Sequence, residues 1–326
     1  MSDVKGYKRV AAYVDLDAIE DNFEAMKANL KEKTRIAAVV KANGYGHGAA
    51  PIARMIEKKD YLWGFAAATI EEAAELRRNG IQKPILILGY VFPEDYEELV
   101  RLDIRPTVFR LDMAKELSAE AVRQQKEVSV HIKVDTGMSR IGFKDNAESA
   151  DIVKAISQLP NLDTEGLFTH FARADERDKT AANEQLTRYQ AFAKLLEDRQ
   201  VPIKYHHCSN SAGIYDMKDA NMDIVRAGIS IYGMYPSDEV KKDRVPLKPA
   251  LGLKSFVTYV KEIGPGEEIS YGGTYVTERT MRIATVAVGY GDGYPRSLSN
   301  CGYVLICGKR ARILGRVCMD QIMVDV

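Results

Sequence analysis

The chain has 326 residues, enough for one large α/β domain with an attachment or for two ordinary domains. Its 46 basic and 46 acidic residues cancel to a formal charge of +0, which leaves no overall field for nucleic acid, anionic lipid or polyacidic substrates and favours small-molecule chemistry. Four dispersed cysteines without a C-x-x-C pair fit a reducing compartment, and with no apolar run of about 18 residues and no signal-peptide core the expectation is a cytoplasmic protein that does not enter a membrane.

In chain order, eight short apolar runs read as strands: "IAAVV" (36–40), "LWGFAA" (62–67), "ILILG" (85–89), "RPTVF" (105–109), "SVHIKV" (129–134), "EGLFTHF" (165–171), "KYHHC" (204–208) and "DIVRAGISIYG" (223–233). Amphipathic segments separate them, such as "TIEEAAELRRNG", where Thr69 with Glu72 reads as a capping box and Gly80 as a C′ stop. Continuous apolar runs are what a parallel sheet covered by helices requires, so the fold expected over residues 13–240 is an α/β, (β/α)8 TIM-like barrel. After Pro236 the composition turns charged and proline-containing, then β-branched with glycine turns. A second, mostly β domain is therefore expected over 241–326, with residues 1–12 as an associated segment and "AAYVDLD" as a strand of either domain. Because the chain stops at Val326 inside a strand-like segment, this domain is expected to be incomplete.

In such a barrel the chemistry comes from the C-terminal ends of the strands. The first strand ends in Lys41, with Asn43, Tyr45 and His47 behind it; the fifth carries Lys133, Asp135 and then Arg140; the sixth ends at His170 before Arg173 and Asp175. Lys133 with Asp135 could be an interior ion pair, and His206 and His207, being adjacent on a strand, face opposite sides. The histidines and acids lack a metal-binding spacing such as H-E-x-x-H, so no metal is expected. "SNSAG", with Asn210 and Ser211, and "RAGIS", with Arg226, Gly228 and Ile229, place small residues after strands seven and eight, where barrel enzymes frequently hold phosphate. A lysine on one strand end and a phosphate cradle on others point to a phosphorylated aldehyde that condenses with the lysine amine, pyridoxal 5′-phosphate.

The segments "AVVKANGYGHG", "KVDTGMSRIGF", "THFARAD", "HHCSNSAG", "VRAGISIYG", "ISYGGTY", "VGYGDGYPR" and "GRVCMDQIMVDV" together resemble the bacterial-type alanine racemases, fold-type III enzymes dependent on pyridoxal phosphate. The resemblance implies that Lys41 carries the cofactor and serves as one proton-transfer base, while Tyr271 serves on the opposite face and is supplied by the other subunit of a homodimer with shared active sites. It also implies cofactor contacts from Tyr45, Arg140, His170, Asn210, Ser211, Gly228 and Ile229, with Arg226 at the pyridine nitrogen. Arg140, Met319 and Asp320 would contact the substrate, Lys133 would be open to carbamylation, and Asp175, Tyr290 and Arg296 would line the entrance. The implied activity is interconversion of L- and D-alanine by two bases, supplying D-alanine for peptidoglycan. The alternatives are a serine or broad-spectrum racemase of the same fold, or a non-catalytic pyridoxal-phosphate-binding protein. Family members usually continue beyond the point matching Val326, so the resemblance also implies weakened cofactor retention, an open sheet edge or a poorly folded second domain here.

Overall fold

A computed structural model describes residues 9–326, which form two compact units: residues 15–250, and residues 9–14 together with 251–326. The larger unit contains β1 (Arg35–Val39), β2 (Leu62–Ala67), β3 (Ile85–Ile87), β4 (Arg105–Val108), β5 (Val128–Asp135), β6 (Leu162–Phe168), β7 (Tyr205–His207) and β8 (Ile224–Ala227). They are hydrogen-bonded in the order β8-β1-β2-β3-β4-β5-β6-β7, and every pair is parallel. Between β7 and β8 the ring is drawn together by two backbone hydrogen bonds, Asp223 N–H to the His206 carbonyl (3.2 Å) and Arg226 N–H to the Ser209 carbonyl (2.9 Å). The result is a nearly closed TIM-like barrel. All six residues of β2 are buried, since side chains on one face fill the barrel and those on the other meet the helices outside.

The helix Ile70–Arg78 shows how far local sequence signals hold. Thr69 Oγ1 accepts the Glu72 N–H (3.4 Å) at its start, and Ile81 N–H to Leu76 carbonyl with Gly80 N–H to Arg77 carbonyl closes its end around Gly80 at φ +87°. The expected capping box is only half formed. The Glu72 carboxylate does not return to Thr69 but accepts the N–H groups of Ala68 (2.8 Å) and Ala42 (2.6 Å).

Several expected boundaries shift. β6 ends at Phe168, so His170 stands beyond the strand; β8 ends at Ala227, because Gly228 (φ −122°, ψ −105°) breaks the ladder and Ile229–Tyr232 turns into a 3-10 helix. The larger unit runs to Ala250 rather than 240, because Lys248 exchanges two hydrogen bonds with the Asn22 side chain and Ala250 N–H reaches the Tyr232 carbonyl. At the other end, Asp15 begins this unit by capping the helix Leu16–Ala28, its Oδ1 accepting Ala18 N–H (3.0 Å).

In the smaller unit, strand Val10–Val14 pairs antiparallel with Leu251–Ser255, which assigns most of "AAYVDLD" to this side. Its main sheet has β9 (Val257–Ile263), β10 (Met281–Val286), β11 (Tyr303–Ile306), β12 (Lys309–Leu314) and β13 (Ile322–Asp325), in the antiparallel order β9-β10-β13-β12-β11. The last strand is thus interior, and the edges are β9 and β11. Alternation along β10 gives the sheet an apolar cluster on each face, Ala284 and Val286 with Ile313 and Val324 on one, Met281 and Ile283 with Leu314 on the other. Val257, Tyr259 and Val260 of the edge strand β9 are exposed. No helix among the described residues is long and apolar enough to cross a membrane.

Candidate active site

The C-terminal mouth of the barrel holds a cavity of about 380 Å³ whose lining includes Lys41, Tyr45, His170, Asp175, Asn210, Ser211, Arg226, Gly228 and Ile229. Nine residues singled out in the sequence, scattered over almost two hundred positions, therefore meet in one space. Val39, Met138 and Phe171, which lie within the segments that carry the resemblance but have no expected role, also line it, as do Leu88 and Pro236, which no motif marks and only the topology places there.

Lys41 is delivered by an unusual turn. Directly after β1, Ala42, Asn43, Gly44 and Tyr45 take φ of +50°, +50°, +64° and +52°, one turn of left-handed helix. For the three residues with a Cβ this conformation costs about 1–2 kcal/mol each, so the surroundings must hold it. They do so through Gly44 N–H to the Val40 carbonyl (2.7 Å), Ala49 N–H to Asn43 Oδ1 (2.9 Å) and Ala42 N–H to Glu72 (2.6 Å). The turn reverses the chain at the strand end, so that Lys41 and Tyr45 both reach the cavity.

The loops after β7 and β8, together with Tyr45, leave room for an anion. Asn210 Oδ1 accepts Gly213 N–H (3.1 Å) at the start of the short helix Ser211–Asp216, and Ser211 Oγ accepts Gly228 N–H (2.9 Å). A Cβ on Gly228 would stand 3.1 Å from Tyr45 Oη, so a side chain there would press on the tyrosine hydroxyl and take up part of this space. Burial raises the Tyr45 pKa, which keeps its hydroxyl a donor.

Arg226 forms the floor and is buried. Its Nη1 donates to His207 Nδ1 and to the His207 carbonyl, both at 2.9 Å; its Nη2 donates to the carbonyls of Thr169 (2.7 Å) and Cys208 (2.9 Å) and lies 3.4 Å from His170 Nδ1. Among the described residues no acceptor lies within hydrogen-bond reach of Nε. Burial pushes this guanidinium down to about 10, still charged at neutral pH. Burial, reinforced by Arg226 and Arg140, pushes His170 down to about 2, so its imidazole is neutral. As expected for neighbours on a strand, His207 turns inward to Arg226 while His206 turns outward to Tyr189 Oη (2.9 Å).

The Lys133–Asp135 ion pair that the sequence allows does not form. Lys133 is buried with Nζ donating to the Val134 carbonyl (2.9 Å), and burial together with Arg226 pushes it down to about 7. Asp135 Oδ1 instead accepts the N–H groups of Gly137, Met138 and Ser139 (3.0, 2.9 and 3.1 Å), shaping the loop that leads to Arg140. Burial would raise the Asp135 carboxyl, but these N–H groups and Lys133 hold it below the usual range. Arg140 is exposed and is not among the cavity-lining residues.

Tyr271, Tyr290, Arg296, Met319 and Asp320 belong to the smaller unit, where neighbouring loops carry them. Ser270 Oγ donates to the Arg316 carbonyl (2.7 Å) beside the Tyr271–Gly273 turn, and Tyr290 N–H and Gly291 N–H donate to the carbonyls of Cys318 (3.0 Å) and Met319 (2.8 Å). Arg296 shares a cleft with Arg316, and the Asp320 carbonyl accepts from Arg9 Nη1 (3.3 Å). Tyr271 is 69% exposed and Met319 60% exposed.

Residues 14–236 match the family described as "Alanine racemase, N-terminal domain", and residues 250–326 match "Alanine racemase, C-terminal domain". The chain belongs to the alanine racemase family. A relative from Clostridium perfringens named alanine racemase is 48% identical over 317 residues, covering 97% of this chain and 82% of the relative. One of that name from Desulforamulus reducens is 45% identical over 315 residues, covering 97% and 85%. Among solved structures, an alanine racemase from Clostridium difficile superposes with a TM-score of 0.93 at 41% identity, covering 99% of this chain and 84% of the other. The alanine racemase from Bacillus anthracis with bound L-Ala-P does so at 0.88 and 36% identity, covering 99% and 83%. The N-terminal alanine racemase match spans every cavity-lining residue, and the C-terminal match spans Tyr271, Tyr290, Arg296, Met319 and Asp320.

Proposed function

We propose that this chain is a pyridoxal-phosphate-dependent alanine racemase, working as a cytoplasmic homodimer that supplies D-alanine for peptidoglycan. The observation that carries this reading is the cavity itself, which sets Lys41, a small-residue anion cradle and the unpaired Arg226 Nε–H around one space in a member of the alanine racemase family. The cofactor's chemical groups fit that lining. The cradle of Tyr45, Asn210, Ser211, Gly228 and Ile229 suits the phosphate, Arg226 Nε offers a donor to the ring nitrogen, and Lys41 Nζ suits the aldehyde carbon. Bound there, pyridoxal phosphate supplies a conjugated ring that delocalises the electron pair left when alanine loses its Cα proton.

Inversion then requires proton transfer on both faces of a planar Cα. Lys41 Nζ serves one face and Tyr271 Oη, from the second protomer, serves the other; the exposure of Tyr271 suits a side chain that completes another molecule's site. Arg140 holds the substrate carboxylate, Tyr271 and the loop carrying Met319 and Asp320 of the second protomer limit side-chain length, and Asp175, Tyr290 and Arg296 guard the approach. His170 braces Arg226 as a neutral ring. Lys133, whose amine is neutral above about 7, is suited to form a carbamate with carbon dioxide.

The test is a visible spectrum of the purified protein, borohydride reduction with peptide mapping, and a coupled D-amino-acid oxidase assay on L-alanine. Reduced cofactor attached to Lys41 together with D-alanine formation is the expected result. Absence of bound cofactor after incubation with pyridoxal phosphate overturns the reading.

A further inference from the structure

A polar chain runs through the barrel behind Arg226, and the reading above uses only its Arg226 end. Arg105, His131, Glu165, His207 and Arg226 come one each from the five consecutive strands β4 to β8. His131, His207 and Arg226 are no more than 2% exposed and Glu165 is 8% exposed. Successive contacts join them: Arg226 Nη1 to His207 Nδ1 at 2.9 Å, His207 Nε2 to His131 Nδ1 at 2.8 Å, His131 Nε2 to Glu165 Oε2 at 3.1 Å, and Arg105 Nε to the same oxygen at 3.0 Å.

The chemistry of the end groups fixes the direction of every link. A guanidinium has no lone pair to offer, so His207 Nδ1 must accept from Arg226. Burial and the Arg226 charge hold His207 well below the usual imidazole range, so the ring is neutral and its single proton sits on Nε2. That proton is donated to His131 Nδ1. In His131, burial outweighs the pull of Glu165 and keeps the ring neutral, so its proton also sits on Nε2 and is donated to the carboxylate. Glu165 can only accept, and Arg105 neutralises it. If either ring took the other tautomer, two N–H groups would face each other in a buried space.

We infer that Glu165, anchored by Arg105, is a positioning residue: it terminates a one-way hydrogen-bond relay that fixes His131 and His207 as Nε2-protonated tautomers and thereby holds the Arg226 guanidinium with Nε toward the cavity. This rests on the racemase reading for its catalytic meaning, but the relay itself is a property of the barrel. Arg226 is oriented from behind by His207, so a group that meets neither substrate nor cofactor governs the donor that does.

The experiment uses the full-length protein with ¹⁵N-labelled histidine; the chain has five histidines, so single substitutions assign the spectrum. In the wild type, ¹⁵N shifts of His131 and His207 near neutral pH are expected to report Nε2–H with an unprotonated Nδ1. In Glu165→Met at least one of the two rings is expected to show a second tautomer, with kcat falling roughly tenfold or more while KM for alanine changes little. Glu165→Gln, whose amide oxygen still accepts, is expected to retain both tautomers and most of kcat. A wild-type His207 protonated on Nδ1, unchanged tautomers with unchanged kcat in Glu165→Met, or a folded Glu165→Gln as impaired as Glu165→Met would each overturn the inference. Expected tautomers in a wild type that does not racemise alanine would remove the racemase reading and leave the relay; racemisation with other tautomers would do the reverse.

Discussion

At the scale of single residues, burial decides which groups can change charge. Lys133 is pushed down to about 7, first by burial and then by Arg226, with Asp135 pulling the other way and Arg140 adding a smaller push downward. An unfolded lysine keeps its proton to about pH 10.4. Between about pH 7 and about pH 10 the unfolded chain therefore binds one proton more than the folded chain, and this group alone makes stability rise with pH by up to ~1.4 kcal/mol per unit. Below about pH 7 both states are protonated and the penalty of the buried ammonium is constant. Lys133→Met is accordingly expected to be more stable than the wild type near pH 6, with an advantage that shrinks toward pH 9. Denaturant melts across that range in carbon-dioxide-free buffer check this, and an advantage independent of pH would refute it. A second residue-scale prediction concerns the opposite face: Tyr271→Phe removes the hydroxyl proton but leaves the Lys41 amine. Racemisation should fall by at least a hundredfold, as for loss of a positioned acid or base. Exchange of the Cα hydrogen of one alanine enantiomer in D₂O, followed by proton NMR, should persist.

At the scale of elements, the left-handed turn after β1 links a helix on the barrel's outside to the lysine at its mouth. Glu72, in the first turn of helix Ile70–Arg78, accepts the Ala42 N–H at 2.6 Å. With that acceptor gone, residues 42–45 lose a partner that offsets their positive φ. Glu72→Ala should destabilise the protein by about 1–3 kcal/mol in thermal or urea melts and should release added pyridoxal phosphate faster on gel filtration, while Glu71→Ala on the same helix should do neither. The sequence made the Thr69 start and the Gly80 stop visible, because capping uses local chemistry. It could not assign Glu72, since a carboxylate that satisfies the capping-box pattern is equally able to serve a loop thirty residues away. The same limit explains the rest of the site. Lys41, Asn210, Ser211, Arg226 and Gly228 were legible because each stands where an apolar run gives way to small or polar residues. The cavity's apolar lining at Leu88, Met138 and Pro236, and the Arg105–Glu165–His131 relay, were not, because partners on different strands are brought together only by barrel closure.

At the scale of the whole molecule, the barrel pattern was legible as eight short apolar runs, and the strand errors lay at the ends of those runs. Glycine at 228 ends β8 early, and the segment before Ala250 stays with the barrel through hydrogen bonds to Asn22. The proposed division of labour between Lys41 and Tyr271 then has a consequence set by symmetry alone. If each site takes Lys41 from one protomer and Tyr271 from the other, a dimer of one Lys41→Ala chain and one Tyr271→Phe chain contains one site with both defects and one with neither. Each variant alone is inactive in racemisation. Co-expressed in equal amounts, half of the dimers are mixed, so about one quarter of wild-type racemase activity should return per mole of chain. If instead both residues of a site came from the same chain, every site would carry one defect and nothing would return. Co-expression with two affinity tags, purification of the mixed dimer and assay of D-alanine formation separates the two outcomes, with about half of wild-type activity expected once the homodimers are removed.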